Sequence, residues 1–440
     1  MNFSTQKSTQ PRVRARRIST AVALATSVAV ILGACATGSA SGGGQVQDGV
    51  VTLNGDRADF IDGFTAAGIE LEAAGASSIE PRNVPSTENY QQVIRSSLKT
   101  SSTTDLLKWW SGYRLQDLAR SGGLANLDSA WDTAVENGWV NPETKSSFSY
   151  DGTVYGIPMY KSYWVIYYNK NVFNDVGIAP PATWDEFMSN NEKIKAAGVA
   201  PMFATQEAGW TSFIWFEEIL SKLDPDFYVK LMNGEASYTD APAQEALEIW
   251  SDLYAKGYFT APDVAWDNEP ALFQEGAVAQ VPMGTWRNGT FVANGMTEKD
   301  YGAYILPVVK EGVTPSVITE SGVIAVAEKA PNKDAAIRTM AEWLSPDVQD
   351  VWVNSIKDTS ANPTVVTDDP TLTSVTEQVT EIAPIELERY WEASPPALIE
   401  TAVQHLGAFM VNPSNDNILP TLEKMQAIAD TEWAKWRENE

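Results

Sequence analysis

Sixteen tryptophans, against one histidine and one cysteine, dominate the residues of this 440-residue chain that could do chemistry. An indole offers a flat apolar face, and a sugar offers flat C–H faces rimmed by hydroxyls. Carboxylates, amides and arginines can bond those hydroxyls and leave few buried groups unpaired. Three tryptophans fall at strand ends or in loops. Trp110 closes the run that starts at Asp105, Trp210 sits in Gln206-Glu207-Ala208-Gly209-Trp210, and Trp286 follows Gly284-Thr285. These three are expected at a ligand site. Trp184, Trp250, Trp343, Trp433 and Trp436 lie within helical patterns and are assigned to packing.

The remaining inventory excludes most catalytic templates. The lone His405 is joined by no G-x-S-x-G turn, so a hydrolytic triad has no support. Zinc sites built from His and Cys need about four such ligands and are excluded by counting; no metal and no cofactor is expected. Neither a phosphate loop nor a dinucleotide-binding glycine run is present. His405, in the apolar stretch 402–410, reads as a packing residue. Asp224/Asp226 and Asp368/Asp369 lack the spacing of a calcium loop and read as solvated loop acids. No residue is nominated as catalytic.

The first residues read as an address. Lys7, Arg12, Arg14, Arg16 and Arg17 form a basic leader without acids, and the apolar run 21–32 follows. As a helix that run would span about 18 Å, too short for a bilayer core of roughly 30 Å. It ends in Leu32-Gly33-Ala34-Cys35, which resembles a bacterial lipoprotein box. Cys35 is therefore expected to carry lipid and to begin the mature chain. Thr37 to Gly44 is a flexible tether. Without the five leader cations, 57 acids face 26 bases, a formal charge near −31. Such a surface repels phosphates, so no nucleic-acid partner is expected. Some 400 residues with 44% hydrophobic content suggest two lobes.

The elements that must position the tryptophans alternate between strand and helix, which argues for an α/β architecture. Strands are expected at 50–53, 105–110, 163–168, 278–283 and 323–326. Helices are expected at 59–74, 89–98, from 115 and at 333–344. Thr183-Trp184-Asp185-Glu186 reads as a capping box, Thr183 at the N-cap and Glu186 at N3. Leu419, Leu422, Met425, Ala429, Trp433 and Trp436 mark one face of a C-terminal amphipathic helix.

In this order the segments resemble the family 1 extracellular solute-binding proteins, the maltose-binding-protein type. Thr104-Asp105-Leu106-Leu107 with Trp109-Trp110, then 119–124 and Leu127, is similar to the family's early signature. Residues 151–158 with Tyr167-Tyr168-Asn169-Lys170, Phe173, Gly177, Pro181 and Thr183 to Phe187 resemble its most diagnostic run. Gly284-Thr285-Trp286 and the stretch 332–346 match two further segments. The family's aromatic-rich first strand is here the plain Val50-Val51-Thr52-Leu53, a departure.

The resemblance implies a periplasmic-binding-protein-like α/β fold: two discontinuous lobes joined by a hinge, with a ligand cleft between them. Ligands of open sheets sit outside the carboxyl ends of the strands, which agrees independently. Crossovers are placed near 155–161, 317–321 and 344–363. One lobe is then 47–157 plus 320–362 and the other 158–319 plus 363–440, after a leader 1–34 and a lipidated tether 35–46. Implied ligand-binding residues are Trp110, Trp210 and Trp286, Glu207 in the Trp210 loop, Tyr160 and Lys161 at the first crossover, Glu320 at the second, Arg287, and Tyr390-Trp391.

The function implied is an extracytoplasmic receptor anchored to the outer face of the cytoplasmic membrane by lipid alone. It would act as a monomer, binding a carbohydrate, on this reading an oligosaccharide, for delivery to the permease of an ABC importer. The alternatives are the same fold binding an amino acid, peptide or polyamine, a purely structural surface lipoprotein, and an acidic glycoside hydrolase using Asp267/Glu269 or Glu217/Glu218. Neighbouring Glu217 and Glu218 on one helix would point in different directions, which counts against the last.

Overall fold

The computed structural model describes residues 49–438. Cys35, the leader and the tether lie outside the described residues. The described residues form one compact unit, built around two separate sheets and two main cores.

The first sheet runs in the order Ser78–Asn83, Val50–Gly55, Leu106–Trp110, Gly322–Val326, Ile157–Pro158. Its first three strands are parallel, and the last two join antiparallel. Helices Ile61–Ala73, Thr87–Ser97 and Pro346–Ile356 cover it, with Trp109, Trp343 and Trp352 fully buried in the core beneath them. Gly63 lets Trp352 approach closely, because a Cβ there would stand 3.0 Å from the indole ring.

The second sheet runs Ile385–Glu388, Ser316–Glu320, Ser162–Asn169, Val278–Gly284, Ala200–Met202, with Tyr301–Tyr304 also paired to Ser162–Asn169. The run YWVIYY is its central strand, buried almost throughout, as β-branched and aromatic residues on a two-sided sheet should be. Trp164, Trp215 and Trp250 anchor its core.

Three passages connect the two bodies. Residues 159–161 link Ile157–Pro158 to Ser162–Asn169, and Ser321 alone separates Ser316–Glu320 from Gly322–Val326. The third runs between helices Pro346–Ile356 and Pro370–Ile382, later than the 344–363 read from sequence. Pro346 does not simply end a helix. It opens the next one at the first turn, where its missing N–H costs nothing.

Local signals behaved physically. Thr183 caps Trp184–Ala196 by accepting from the Glu186 amide, while the Glu186 carboxylate reaches back to Ala182 N at 2.7 Å, one residue beyond the expected partner. Leu419 is 44% exposed, so the apolar face of Ile418–Arg437 is completed by Ile418 instead. Asp224 and Asp369, read as solvated, instead cap the helices Pro225–Met232 and Pro370–Ile382.

Candidate functional site

A cavity of about 330 Å³ opens between the two sheets, at the carboxyl ends of strands from both. From the first body, Asp56 and Arg57 follow Val50–Gly55. Lys108 and Trp110, two apart on Leu106–Trp110, face the same side. From the second body come Trp210, Trp266, Trp286, Arg287, Arg389 and Trp391, with Tyr160 and Glu320 at the crossovers.

The tryptophans are set by tight turns. Trp286 stands on a one-turn helix, Thr285–Arg287, directly after Val278–Gly284. Gly284 gives it room: a Cβ there would lie 2.5 Å from the Trp286 indole nitrogen and 3.0 Å from a Glu320 carboxylate oxygen. Trp210 packs edge-on to Trp266, ring centres 5.3 Å apart, and 6.4 Å from Trp286. Arg114, buried, holds Trp391 by stacking at 3.9 Å and by donating to its carbonyl at 3.0 Å.

Every cation lining the cavity has a protein carboxylate. Lys108 Nζ lies 3.0 Å from Asp56 and 4.2 Å from the Trp110 ring centre. Arg57 donates to Asp59 at 2.8 Å while its guanidinium stands 5.1 Å over Trp286. Arg287 donates to the fully buried Glu269 at 2.7 Å and stacks on Trp266 at 4.4 Å. Arg389 is clamped between Glu320 and Glu392. Burial raises the Glu320 carboxyl to about 7 even beside Arg389. Burial also works against Asp56, but the Lys108 ammonium, together with Arg57 and the Thr87 hydroxyl, outweighs it and holds that carboxyl below its usual range.

Of the residues named from sequence, Trp110, Tyr160, Trp210, Trp286, Arg287, Glu320 and Trp391 line this one cavity. Three do not. Lys161 points the other way and pairs with Glu386 at 2.6 Å, because neighbouring side chains in extended backbone face opposite sides. Tyr390 is fully buried in the second core, its hydroxyl 2.8 Å from that of Tyr238. Glu207 accepts from the Trp266 amide at 3.1 Å and shapes that loop from behind.

Sequence reasoning missed Asp56, Arg57, Lys108, Trp266 and Arg389. Lys108 did carry a signal, being the one cation inside the apolar strand LLKWW, two residues before Trp110. The plain first strand suggested little from its loop, yet that loop supplies Asp56, Arg57 and Asp59. Three of the four acids nominated for hydrolysis are taken up by partners within the protein. Glu217 is buried and accepts from Tyr390 N and Tyr228, Glu218 faces Lys222, and Glu269 is locked to Arg287. Among the described residues no cluster of His, Cys, Asp or Glu could hold a metal ion.

Solved structures share this architecture. A bacterial solute receptor described as having an exclusive preference for β-D-galactopyranose superposes with a TM-score of 0.78 at 21% identity, covering 88% of this chain and 100% of that one. A chitin oligosaccharide binding protein gives 0.76 at 17% identity, again with 88% and 100% covered. An ABC transporter extracellular-binding protein of Pyrococcus horikoshii is 29% identical over 266 residues, 58% of this chain and 57% of that protein. A probable sugar-binding periplasmic protein of Mesorhizobium japonicum is 29% identical over 236 residues, 51% and 54% of the two chains. The match thus spans about half the length of these curated relatives. The family model for bacterial extracellular solute-binding proteins covers residues 59–350, taking in all but one strand of each sheet and most of the cavity wall. That match spans more than half of the chain, and this chain belongs to the bacterial extracellular solute-binding protein family.

Proposed function

We propose that this chain is a non-catalytic receptor that captures a neutral carbohydrate in the cavity between its lobes and delivers it to the permease of an ABC importer. The observation that carries the reading is the pairing of five indoles with a charge set that is already satisfied internally. Trp110, Trp210, Trp266, Trp286 and Trp391 supply apolar faces. Lys108, Arg57, Arg287 and Arg389 each face a carboxylate of the protein itself. A phosphate, carboxylate or amine ligand would need an unmatched opposite charge. Neutral hydroxyls, which both donate and accept, fit a site of paired ions. Relatives named as sugar-binding point the same way. The lobes are taken as 47–157 with 320–362 and 158–319 with 363–440, closing about the three crossovers when ligand binds.

The same reading places the protein, as a monomer, outside the cytoplasmic membrane, tethered through lipid on Cys35. Among the described residues no helix is long and apolar enough to cross a membrane. Mass spectrometry of the chain from membranes would show a diacylglycerol-modified Cys35 at the N-terminus. An unmodified thiol there would sink the anchor.

A thermal-shift screen against mono- and oligosaccharides, sugar acids, amino acids and peptides tests the ligand class. A ligand at 100 times its dissociation constant adds about 2.7 kcal/mol, a readily visible shift. Stabilisation by neutral sugars is the expected result. A response confined to charged solutes, lost in Trp286→Ala, would replace the sugar reading.

A further inference from the structure

Two arginines of the first body reach across the cleft onto indoles of the second. Arg57, in the loop after Val50–Gly55, stands 5.1 Å over Trp286. Arg114, on helix Gly112–Arg120, stacks on Trp391 at 3.9 Å. In the second sheet these indoles follow Val278–Gly284 and Ile385–Glu388, whose carboxyl ends lie along one edge. Two strands stand between them, so three strand spacings of about 4.8 Å set the two bridges about 14 Å apart.

The two ends are built differently. At one, the Arg114 side chain is 2% exposed and donates to the Trp391 carbonyl at 3.0 Å. Beside it Tyr113 N donates to the Glu392 carbonyl at 2.9 Å. Gly112, at φ +57°, lets the two backbones meet, since a Cβ there would stand 2.6 Å from that carbonyl oxygen. This end is sealed by main chain. At the other, Arg57 is 28% exposed and its partner Asp59 56%, so a guanidinium, not backbone, separates the cavity from solvent.

The space between is small. About 330 Å³ stands near the bottom of the roughly 300–1,000 Å³ of small-molecule sites. One water occupies about 30 Å³ of the liquid, so the cavity takes the volume of about eleven waters. A hexose carries about that many non-hydrogen atoms, and bonded atoms need less room than separate waters. One ring fits loosely, two fill the space, and a third has nowhere to lie between the arginines.

Resting on the carbohydrate reading of this cleft, we infer that the ligand is a mono- or disaccharide, and that Arg57 sets the limit by closing the end through which a longer chain would leave. Arg114 cannot be that gate, because its end is walled by backbone as well.

Calorimetric titration of the parent and of Arg57→Ala with the mono-, di- and trisaccharides of the malto, cello, xylo and β-1,4-galacto series tests the limit. In a series that binds, the parent should take the trisaccharide about tenfold or more weaker than its best shorter member, and Arg57→Ala should narrow that gap by about tenfold. The gap is the readout, not the absolute affinity, because Arg57 also lines the site. A gain for the longer sugar is something a misfolded variant cannot give. A trisaccharide bound by the parent as tightly as the shorter sugars overturns the length limit and leaves the carbohydrate reading standing. A gap unchanged in Arg57→Ala overturns the role of Arg57. Binding of no sugar at any length overturns the carbohydrate reading itself, and the limit with it.

Discussion

Lys108 Nζ lies 3.0 Å from Asp56 Oδ1 at the edge of the cleft, and the two side chains are only 7% and 5% exposed. The Tyr90 hydroxyl bonds the Lys108 carbonyl, and Thr87 Oγ1 donates to Asp56 at 3.2 Å, so the pair is held from both sides. Removing one partner of a buried ion pair leaves the other uncompensated. Lys108→Met is therefore expected to cost about 3–5 kcal/mol in urea unfolding, with the double variant Asp56→Asn/Lys108→Met recovering part of the loss. Equal losses in single and double variants would show that the pair is not coupled.

The same pair predicts an acid limb. Asp56 titrates below its usual 3.8 in the folded protein, so its contribution to stability is present above that value and lost as pH falls through the folded one. In Lys108→Met the largest of the attractions that oppose burial is lost while Arg57 and the Thr87 hydroxyl remain, so the acid limb should shrink. Denaturant midpoints of both proteins from acid to neutral pH measure the difference.

Asp358 carries the opposite sign already. It sits in the third crossover, accepting from Ser162 in the strand after the first crossover, from Thr285 Oγ1 at 2.6 Å and from Thr359 N at 2.8 Å. Burial lifts its carboxyl to about 6, from 3.8. Its contribution is full below the unfolded value and fades as pH rises through about 6. Asp358→Asn should remove this slope, so the stability difference between variant and parent changes between about pH 4 and pH 6 and is flat above. A difference independent of pH would contradict it.

Gly284 should tune affinity without breaking the fold. Alanine there pushes on the Trp286 indole and on Glu320 rather than on backbone. Ligand affinity should fall by about tenfold for a displaced aromatic platform, with a melting temperature within a few degrees of the parent. Calorimetry and a thermal melt on one preparation separate the two effects.

Much of the fold was legible because its signals are local. The β-prone YWVIYY, the Thr183 cap and the apolar stripe from Leu422 to Trp436 each state their own conformation. The cleft was legible where a bulky aromatic ends a strand, as at Trp110 and Trp286. It was not legible where a contact joins distant segments. Asp56 reads as a turn acid until Lys108 is brought 3.0 Å away by the parallel pairing of Val50–Gly55 with Leu106–Trp110. Lys161 stands one position past Tyr160 in an extended segment, which is enough to turn its side chain away from the cleft and onto Glu386. Leu419 shows the same sensitivity on a helix, where its neighbour Ile418 is the buried one.

On the proposed function, the indole-lined cleft, and not the packed tryptophans, takes a neutral sugar. The direct measurement is calorimetric titration, with the best sugar from the screen, of the parent, Trp286→Ala and Trp433→Ala. Trp433 packs edge-on to Tyr113 at 5.4 Å, outside the cleft lining. Trp286→Ala is expected to lose about tenfold or more in affinity. Trp433→Ala should lose about 3–5 kcal/mol of stability and bind as the parent does. Sugar binding unchanged in Trp286→Ala, or no neutral sugar binding the parent at all, would contradict it.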